Sequence, residues 1–543
     1  MTYPRLRDAG DSMLILEFEP LVDVTVNARA IATALAVRAR APAGMREVRA
    51  TFRSVAVEFD PLQANRDQMA DVLMSAAVTR ALVPPGREIE IPVVYGGEQG
   101  PDLADVASRS SMREAELIAE HADRPYHVFM LGFAPGFPYL GPVSDRIDAP
   151  RRATPRLRVP AGAVGIAGRQ TGIYPRTSPG GWALVGRTNV RLFDPGRTAA
   201  ALVQPGDRVR FVPVERLDFE EAPAGQAVPR TPAGTALTVI APGLLTTVQD
   251  AGRWGWQSSG VPVGGALDRA ALAEANESVG NDSEAAVLEA TLPGLELRAE
   301  HACVVAIAGG DLGATIDGRA VPMATAVEVR AGSTVSLATR RSGARAYLAF
   351  TGGIDVAAVL GSRSTELGAG FGGFNGRPLR AGDRLATGGR LGSTPAPQHG
   401  RHGVVARGPE PGGSVRLRVL PGPHDDWLGG DAIDALVRTR FTVTPQSNRM
   451  GYRLHGSGGP LRYLDRGEMI SDATVTGGIQ VPPDGQPILL MADRQVTGGY
   501  PMLATVITAD LPLAAQLAPG DWVEFETCSR AAAVSALRQA AGT

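Results

Sequence analysis

Two stretches of the chain carry the same polar residues, in the same order, among glycines and prolines. Residues 159–187 and 481–501 both run Val-Pro, a turn with glycine, an apolar stretch, then Arg-Gln, Thr-Gly and Tyr-Pro, although the second has extra residues. Arg, Gln, Thr and Tyr side chains form hydrogen bonds but have little reactivity, and glycine lets a ligand approach the backbone closely. The two segments therefore predict a site that binds a small polar molecule. Glycine-rich sheet turns with solvated side chains are the alternative interpretation.

The polar side chains of these segments are the candidate substrate-binding residues. They are Gln170, Tyr174, Arg176, Gln495, Thr497 and Tyr500. Asp493, just before the second Arg-Gln pair, is the candidate general base, since a carboxylate can take a proton from water or substrate. Asp472 lies near the same loops, and either carboxylate could instead cap a turn. No Ser-His-Asp spacing, nucleophile elbow or catalytic Cys motif is present, so no protein nucleophile is predicted.

The basic residues set a sharp limit on cofactors. All 54 of them are arginine, and the chain has no lysine. A GxxxxGK[ST] phosphate-binding loop, a Schiff-base lysine and a lysine that carries biotin are therefore excluded. A formal net charge of −2 gives no general attraction to nucleic acid or to an anionic membrane, and we expect neither as a partner.

Cysteine usage and the first residues indicate the compartment. The two cysteines, Cys303 and Cys528, are far apart and lack metal-ligand spacing, so neither a metal site nor a disulfide is predicted. The N-terminal residues contain no apolar core of signal-peptide length, and no apolar run reaches the ~18 residues of a membrane span. These features predict a protein of the reducing cytoplasm.

Repeated turn sequences divide the chain into modules. Gly-Asp followed by an apolar residue nearby occurs at 206–207, 382–383 and 520–521, and each copy closes a stretch whose beginning also repeats. The 66 Gly and 42 Pro are spread between apolar runs, which predicts many turns and a β-rich protein. The predicted organisation is an α+β N-terminal domain at 1–88, β modules at 89–215, 236–392 and 415–530, and linkers at 216–235 and 393–414.

The N-terminal domain has a different pattern from the modules. SMLILEF and SVAVEF are typical of strands, while residues 28–39 and 66–80 have the periodicity of helices, the second capped by Asn65. Strand, helix, strands and helix in this order predict a split βαβ sandwich. The domain carries no obvious chemistry, and we interpret it as a packing or interface domain.

Longer motifs resemble a known family. HADRPYHVFMLGFAPGFPYLG, TPRLRVPAGAVGIAGRQTGIYP and SPGGWALVGRT resemble the B subunit of 5-oxoprolinase, also described as allophanate hydrolase subunit 1 or the KipI family. PGLLTTVQDAGRWGWQSSGVPVGGALDRAALAEAN, PQSNRMGYRL and GGIQVPPDGQPILLMADRQVTGGYP resemble its C subunit, the allophanate hydrolase subunit 2 or KipA family. The resemblance covers nearly the whole chain, which is identified as a fusion of both subunits within the carboxyltransferase-domain family. Asn448 and Val496 depart from the family pattern, in which Asp and Thr are usual.

The resemblance implies a mainly β protein with three cyclophilin-like β-barrel modules. It also implies a component of an ATP-dependent 5-oxoprolinase, which opens 5-oxoproline to glutamate together with a separate LamB/YcsF-type protein, the A subunit, and is inactive alone. Two other functions share the family: the carboxyltransferase part of a urea carboxylase or allophanate hydrolase system, and a binding protein that inhibits a histidine kinase. The implied cofactor is ATP with Mg, without covalent biotin on this chain, and an oligomer is expected.

The implied reaction assigns a role to arginine. A lactam amide is stabilised by resonance, so a sensible route is phosphorylation of its oxygen by ATP, attack of water and loss of phosphate. This route needs charge stabilisation and positioning more than a protein nucleophile. Arg156, Arg253 and Arg449 are therefore the candidates for contacts to phosphate or carboxylate. The same polar residues would equally present urea to carboxybiotin, so the sequence leaves the substrate open.

Overall fold

The computed structural model describes most of the chain. The described residues are 3–78, 86–219, 235–388, 407–464 and 467–542. The predicted linkers 216–235 and 393–414 lie largely outside them, as does the end of the helix predicted at 66–80. Within the described residues, no helix combines the length and the apolar character needed to cross a membrane.

The N-terminal domain is a four-stranded antiparallel sheet with two helices. Its strands are β1 (Arg5–Asp8), β2 (Met13–Glu17), β3 (Met45–Ala50) and β4 (Ser54–Phe59), in the spatial order β1-β2-β4-β3. Its helices are α1 (Val24–Arg40) and α2 (Arg66–Val78). The Asp23 side chain caps α1 by accepting from Thr25 N and Val26 N, and Asn65 caps α2 as predicted, accepting from Gln68 N.

Both faces of this sheet are buried, because successive side chains of a strand point to opposite faces. Leu14 and Leu16 pack with the two helices, whereas Met13 and Ile15 pack against Val475 of the third β module. Strand β2 is consequently buried at every position. The interpretation of this domain as a packing domain agrees with these contacts to a distant part of the chain.

The first β module is a closed seven-stranded barrel. Its strands are β5 (Glu88–Tyr95), β6 (Tyr126–Leu131), β7 (Pro138–Gly141), β8 (Arg156–Val159), β9 (Ala163–Ala167), β10 (Gln170–Ile173), β11 (Ser178–Gly180), β12 (Ala183–Arg187) and β13 (Arg208–Pro213), with helices α3 (Leu103–Arg109) and α4 (Glu114–Ala122). The barrel has the order β10-β7-β6-β13-β5-β12-β9, while β8 and β11 form a separate two-stranded ribbon.

The middle module contains two open sheets. Its strands are β14 (Thr235–Pro242), β15 (Leu245–Gln249), β16 (Val287–Thr291), β17 (Leu295–Ala299), β18 (Cys303–Gly309), β19 (Ala314–Ile316), β20 (Arg319–Ala320), β21 (Val327–Val329), β22 (Thr334–Leu337), β23 (Arg345–Phe350), β24 (Ile354–Asp355) and β25 (Arg384–Thr387), with helix α5 (Arg269–Ser278). The sheets have the orders β20-β19-β22-β17-β14-β25-β24 and β15-β16-β23-β18-β21. Leu237 and Leu297 of the first sheet share a core with Leu288 and Leu348 of the second.

The third β module is again a closed barrel. Its strands are β26 (Ser414–Pro421), β27 (Phe441–Val443), β28 (Gly451–Gly456), β29 (Asp472–Ala473), β30 (Gly478–Gln480), β31 (Ile488–Leu490), β32 (Thr497–Gly498), β33 (Met502–Val506) and β34 (Trp522–Thr527), with helices α6 (Ala432–Arg438), α7 (Leu511–Ala515) and α8 (Arg530–Ala541). The barrel order is β26-β33-β30-β31-β28-β27-β34, and β29 pairs with β32 outside it.

The repeated Gly-Asp sequence forms the same turn in all three modules. Gly206, Gly382 and Gly520 have φ values of 94°, 87° and 91°, a region that strongly favours glycine. Each following aspartate accepts a hydrogen bond from the backbone N–H three residues before it, with N···O distances of 2.9, 2.7 and 2.8 Å. The sequence repeat therefore records a shared local geometry.

The direction of strand pairing after this turn distinguishes the two barrels from the middle module. The strand that follows the turn pairs with the first strand of its own module in every case. The pairing is parallel in both closed barrels, β5 with β13 and β26 with β34, but antiparallel between β14 and β25. The predicted mainly β fold is confirmed with two closed barrels. The middle module differs from the barrel prediction because its two sheets share no strand.

A buried ion-pair network joins the N-terminal domain to two modules. Glu58 of β4 accepts hydrogen bonds from Arg49 (2.7 Å), from Arg494 of the third module (3.3 Å) and from Gln257 of the middle module (3.2 Å). Burial alone would raise the pKa of Glu58, but the guanidinium groups of Arg49 and Arg494 outweigh it and lower that pKa. The carboxylate is therefore held ionised where three parts of the chain meet.

Candidate functional site

A group of charged side chains lies where both barrels meet the middle module. Its members, the junction cluster, are Arg176, Arg253, Glu366, Arg449 and Asp493. Arg176 comes from the loop between β10 and β11, Arg253 and Glu366 from loops of the middle module, and Arg449 and Asp493 from loops beside β28 and β31. The fold therefore brings together four residues that the sequence proposed, although they are spread over more than half of the chain.

One half of the cluster is fully paired. Arg449 donates from Nε to Asp493 Oδ2 at 2.9 Å and from Nη2 to Oδ1 at 3.0 Å. It also pairs with Glu289 and donates to the carbonyl of Gly265 at 2.7 Å. Burial acts to lower the pKa of Arg449, but the carboxylates of Asp493 and Glu289 outweigh it and raise that pKa. Arg449 is therefore a permanently charged group that orients Asp493.

Arg253 has buried donors without partners. Its side chain is 1% exposed and lies over the ring of Phe371, 5.0 Å from the ring centroid. Nη2 donates to the carbonyl of Ser364, but Nε and Nη1 have no hydrogen-bond partner among the described residues. Burial lowers the pKa of Arg253 and outweighs the opposite effect of the Glu366, Asp250 and Asp493 carboxylates, none of which forms an ion pair with it among the described residues. Unsatisfied buried donors are costly, and at a functional site they indicate a ligand.

The unpaired donors of Arg253 face Asp493. A Cβ atom built on Gly264 would lie 3.5 Å from Arg253 Nη1 and 3.6 Å from Asp493 Oδ1. Glycine at this position, with φ of 62°, keeps the space between the two groups free of a side chain. Arg253 Nη1 and Asp493 Oδ1 therefore lie on either side of one glycine.

Arg176 and Glu366 form the other half of the cluster. Arg176 belongs to the first barrel, makes no ion pair within the described residues, and has a buried Nε without a partner. Glu366 is 3% exposed and accepts a hydrogen bond from Ala369 N. A Cβ atom on Gly368 would lie 2.9 Å from Glu366 Oε1 and 3.0 Å from Arg176 Nη2, so the two side chains flank one glycine. Burial lowers the pKa of Arg176.

Glu366 is suited to carry a proton. Burial raises its pKa, and the nearby Asp493 charge raises it further, against the opposite effect of Arg176 and Arg253. When Glu366 is protonated, Arg176 and Arg253 are left as cations without a bonded carboxylate. The cluster can therefore attract an anion and hold a transferable proton in the same place.

The remaining candidates of the first barrel are not members of the junction cluster. Tyr174 is buried among aromatic rings, with Phe137 at 5.3 Å and Phe133 at 6.0 Å between centroids, and burial raises its pKa to about 12. Gln170 is half-buried, and its Oε1 has no hydrogen-bond partner among the described residues. Arg156 donates to Asp102 at 2.7 Å. Their roles in binding stay predictions.

Apart from Asp493, the candidates of the second segment are not members of the junction cluster. Thr497 is buried, and its hydroxyl oxygen accepts from Phe133 N at 3.2 Å, so it contacts the same loop as Tyr174. The two matching segments are thus joined through this aromatic loop. Gln495 is half-buried and Tyr500 is 45% exposed. Binding roles for these three residues stay predictions.

Sequence reasoning missed Glu366. It stands directly before the glycine-rich run LGAGFGGFNG, and no equivalent occurs in the two matching segments. A lone carboxylate at the start of such a run was the available signal, because glycines there allow close approach to a charged group. Its proximity to Arg176, 190 positions away in sequence, could be recognised only from the fold.

Three other buried groups have the spacing of metal ligands. Ligand atoms of Glu17, His424 and Asp472 lie within 4.8 Å of one another. However, Glu17 is paired with Arg5 and with Arg53, and His424 Nδ1 accepts from Met502 N at 3.3 Å. The imidazole proton then lies on Nε2, which faces Asp472. This arrangement favours ion pairs of Glu17 within its own domain and a polar contact of His424 with Asp472 over metal binding.

Two family models match the chain. Residues 4–203 match the carboxyltransferase domain, subdomain C and D, and residues 259–527 match the carboxyltransferase domain, subdomain A and B. The first match includes the N-terminal domain and most of the first barrel, and the second includes most of the other two modules.

Known proteins resemble the two halves separately. Identity is 41% over 302 residues to the C subunit of 5-oxoprolinase from Escherichia coli K12, which covers 55% of this chain and 94% of that protein. It is 37% over 233 residues to the B subunit of 5-oxoprolinase from Bacillus subtilis 168, covering 40% and 95%. A urea amidolyase of Saccharomyces cerevisiae is 34% identical over 304 residues, but only 16% of its length is covered.

Solved structures resemble the whole chain. The crystal structure of TTHA0988 superposes with a TM-score of 0.84 at 36% identity, covering 95% of this chain and 99% of that one. The Kluyveromyces lactis urea carboxylase gives a TM-score of 0.51 at 26% identity, covering 73% of this chain and 38% of that one.

Two arginines of the cluster should respond oppositely to the same substitution. Arg253→Met removes a buried charge that forms no ion pair with a carboxylate among the described residues. The free energy of unfolding is therefore expected to stay equal or rise. Arg449→Met leaves Asp493 and Glu289 buried without their cation, and a loss of roughly 3–5 kcal/mol is expected. Urea denaturation of both variants measures the difference. An equal loss for both would show that Arg253 is structural.

Glu366→Gln should change the pH dependence of stability. Because the pKa of Glu366 in the folded protein lies above its ordinary 4.5, the folded state retains a proton that the unfolded chain releases. The proton's contribution to stability is fully present below the ordinary pKa of 4.5. It is lost as the pH rises from there through the raised pKa of the folded protein. Relative to the variant, the wild type should therefore lose stability over this window in urea denaturation. Glu90→Gln, at an exposed position, is the control, and parallel wild-type and Glu366→Gln profiles would contradict the assignment.

Proposed function

Since this chain belongs to the carboxyltransferase-domain family, we propose that it is the fused B-type and C-type component of an ATP-dependent 5-oxoprolinase. The reaction converts 5-oxoproline, ATP and water to glutamate, ADP and phosphate, and a separate LamB/YcsF-type protein completes the enzyme. Similarity to nearly full-length B and C subunits of 5-oxoprolinase supports this proposal. The alternative substrate in the family is urea, as the names of other relatives indicate.

The observation that carries the proposal is the unpaired guanidinium of Arg253. 5-Oxoproline has a carboxylate, which can accept hydrogen bonds from the free Nε and Nη1 groups of this side chain. Urea is neutral and has no group to balance this buried charge. The cation of Arg176, from the first barrel, adds to the attraction. A carboxylate-bearing lactam therefore fits the junction cluster better than urea does.

The reacting amide needs a proton at its nitrogen. After phosphorylation of the lactam oxygen, water adds to the ring carbon and the C–N bond breaks, so the leaving nitrogen must be protonated. In this proposal Glu366, whose pKa is raised by burial, supplies that proton. Asp493 is a weaker candidate for this step because Arg449 engages both of its oxygens. In this proposal Asp493 orients the substrate, and a second water then hydrolyses the resulting acyl phosphate to glutamate and phosphate.

Reconstitution tests the proposal. Glutamate formation coupled to ATP hydrolysis is expected when the chain is mixed with the LamB/YcsF-type protein and 5-oxoproline, and not with either protein alone. Replacing 5-oxoproline by 2-pyrrolidinone, which lacks the carboxylate, should lower kcat/KM by at least about 100-fold, because buried donors of the site are left unpaired. The Arg253→Met variant should lose most of its activity towards 5-oxoproline. The ratio of its kcat/KM values for 5-oxoproline and 2-pyrrolidinone should therefore be smaller than that of the wild type.

Other results would replace the proposal. Urea-dependent decarboxylation of carboxybiotin, with no turnover of 5-oxoproline in the mixture, would assign the chain to a urea carboxylase system. Equal turnover of 5-oxoproline and 2-pyrrolidinone would remove the role given to Arg253.

A further inference from the structure

A second arginine-rich region lines a cleft on the first barrel. The cleft has a volume of about 480 Å³, within the range of small-molecule sites, and no residue of the junction cluster lines it. Its cationic lining residues are Arg109, at the end of α3, and the neighbouring Arg151 and Arg152. These three side chains are exposed, so they can reach a ligand from solvent.

The arginines of the cleft are only partly neutralised. Arg109 has no hydrogen bond or ion pair among the described residues, and Arg151 has only an exposed contact of 3.6 Å to Glu468 of the third module. Asp102 is buried and already accepts from Leu184 N at 2.6 Å and from Arg152 at 3.3 Å.

Arg156 completes this arrangement behind the cleft. It donates to Asp102 at 2.7 Å, so it neutralises the carboxylate that would otherwise offset Arg152. The cleft therefore has a surplus of positive charge despite the presence of Asp102 and of the exposed Asp105.

Another cavity of the chain has a lining of the opposite charge. A cavity of about 390 Å³ in the middle module is lined by Asp250, Glu284 and Asp355 against a single arginine, Arg363. That lining would repel an anion. The cleft of the first barrel instead combines three arginines with small apolar residues such as Val106 and Ala149, which can contact an uncharged part of a ligand.

We propose that this cleft binds the phosphate groups of a polyphosphate ligand, and that the ligand is ATP if the proposed function holds. Arginine is suited to this role because its planar guanidinium donates paired hydrogen bonds to phosphate oxygens. The chain has no lysine and no phosphate-binding loop of the GxxxxGK[ST] type, so arginines are the permanently charged side chains that a phosphate site can use. The apolar lining then accommodates part of the nucleoside.

Calorimetric titration of the full chain with ATP and with inorganic tripolyphosphate tests the site. Both are expected to bind, and adenosine is not. Arg109→Ala and Arg152→Ala should each weaken binding of both anions by roughly tenfold, the effect of losing one charge-assisted hydrogen bond. Arg109 has no partner to lose among the described residues, and Asp102 keeps Arg156 and Leu184 N in the second variant, so both variants should fold.

The matched control is Arg158→Ala, an exposed arginine on the same segment that does not line the cleft. It should bind both anions like the wild type. Unchanged affinity in both cleft variants, equal weakening in the control, or no binding of either anion to the wild type would overturn the proposal. Tripolyphosphate binding needs neither the LamB/YcsF-type protein nor 5-oxoproline. If the cleft variants lose tripolyphosphate binding while the reconstituted wild type forms no glutamate, the proposed function is refuted and the phosphate site stands.

Discussion

Burying a guanidinium group is costly unless its charge is paired, and this constraint governs how several parts of the chain meet. Arg49 and Arg494 share Glu58 between the N-terminal domain and the third module. Arg449 is held by Asp493 and Glu289 between the middle and third modules. These pairs fix the relative positions of the modules, because neither partner can be left alone in a buried site.

Arg253 and Arg176 do not follow this pattern, and this contrast is the basis of the proposed site. Unlike the paired arginines, Arg253 and Arg176 form no ion pair among the described residues, and Arg253 leaves two buried nitrogens and Arg176 one without a hydrogen-bond partner. Their nearest carboxyl group, Glu366, is itself pushed towards its neutral form by burial. In the proposed function, the fully paired half of the junction cluster supports a half whose charge the substrate completes. A lactam with a carboxylate supplies that missing charge, whereas urea does not.

Local features were predictable from sequence, and long-range ones were not. The Gly-Asp turns could be recognised because a positive φ at glycine and an aspartate accepting a backbone N–H involve residues only three positions apart. The predicted Asn65 cap of α2 is local in the same way. The proximity of Arg176 to Glu366, and the open sheets of the middle module, depend on strand pairing and module docking, which turn sequences do not specify. The sequence identified four candidate site residues but not their proximity in the fold. They are Arg176, Arg253, Arg449 and Asp493.

The most direct test of this account is a crystal structure of the chain with 5-oxoproline bound. The account predicts the carboxylate within hydrogen-bond distance of Arg253 Nε or Nη1, with the lactam between Glu366 and Asp493. A ligand bound elsewhere, with the Arg253 nitrogens still unpartnered, would contradict it.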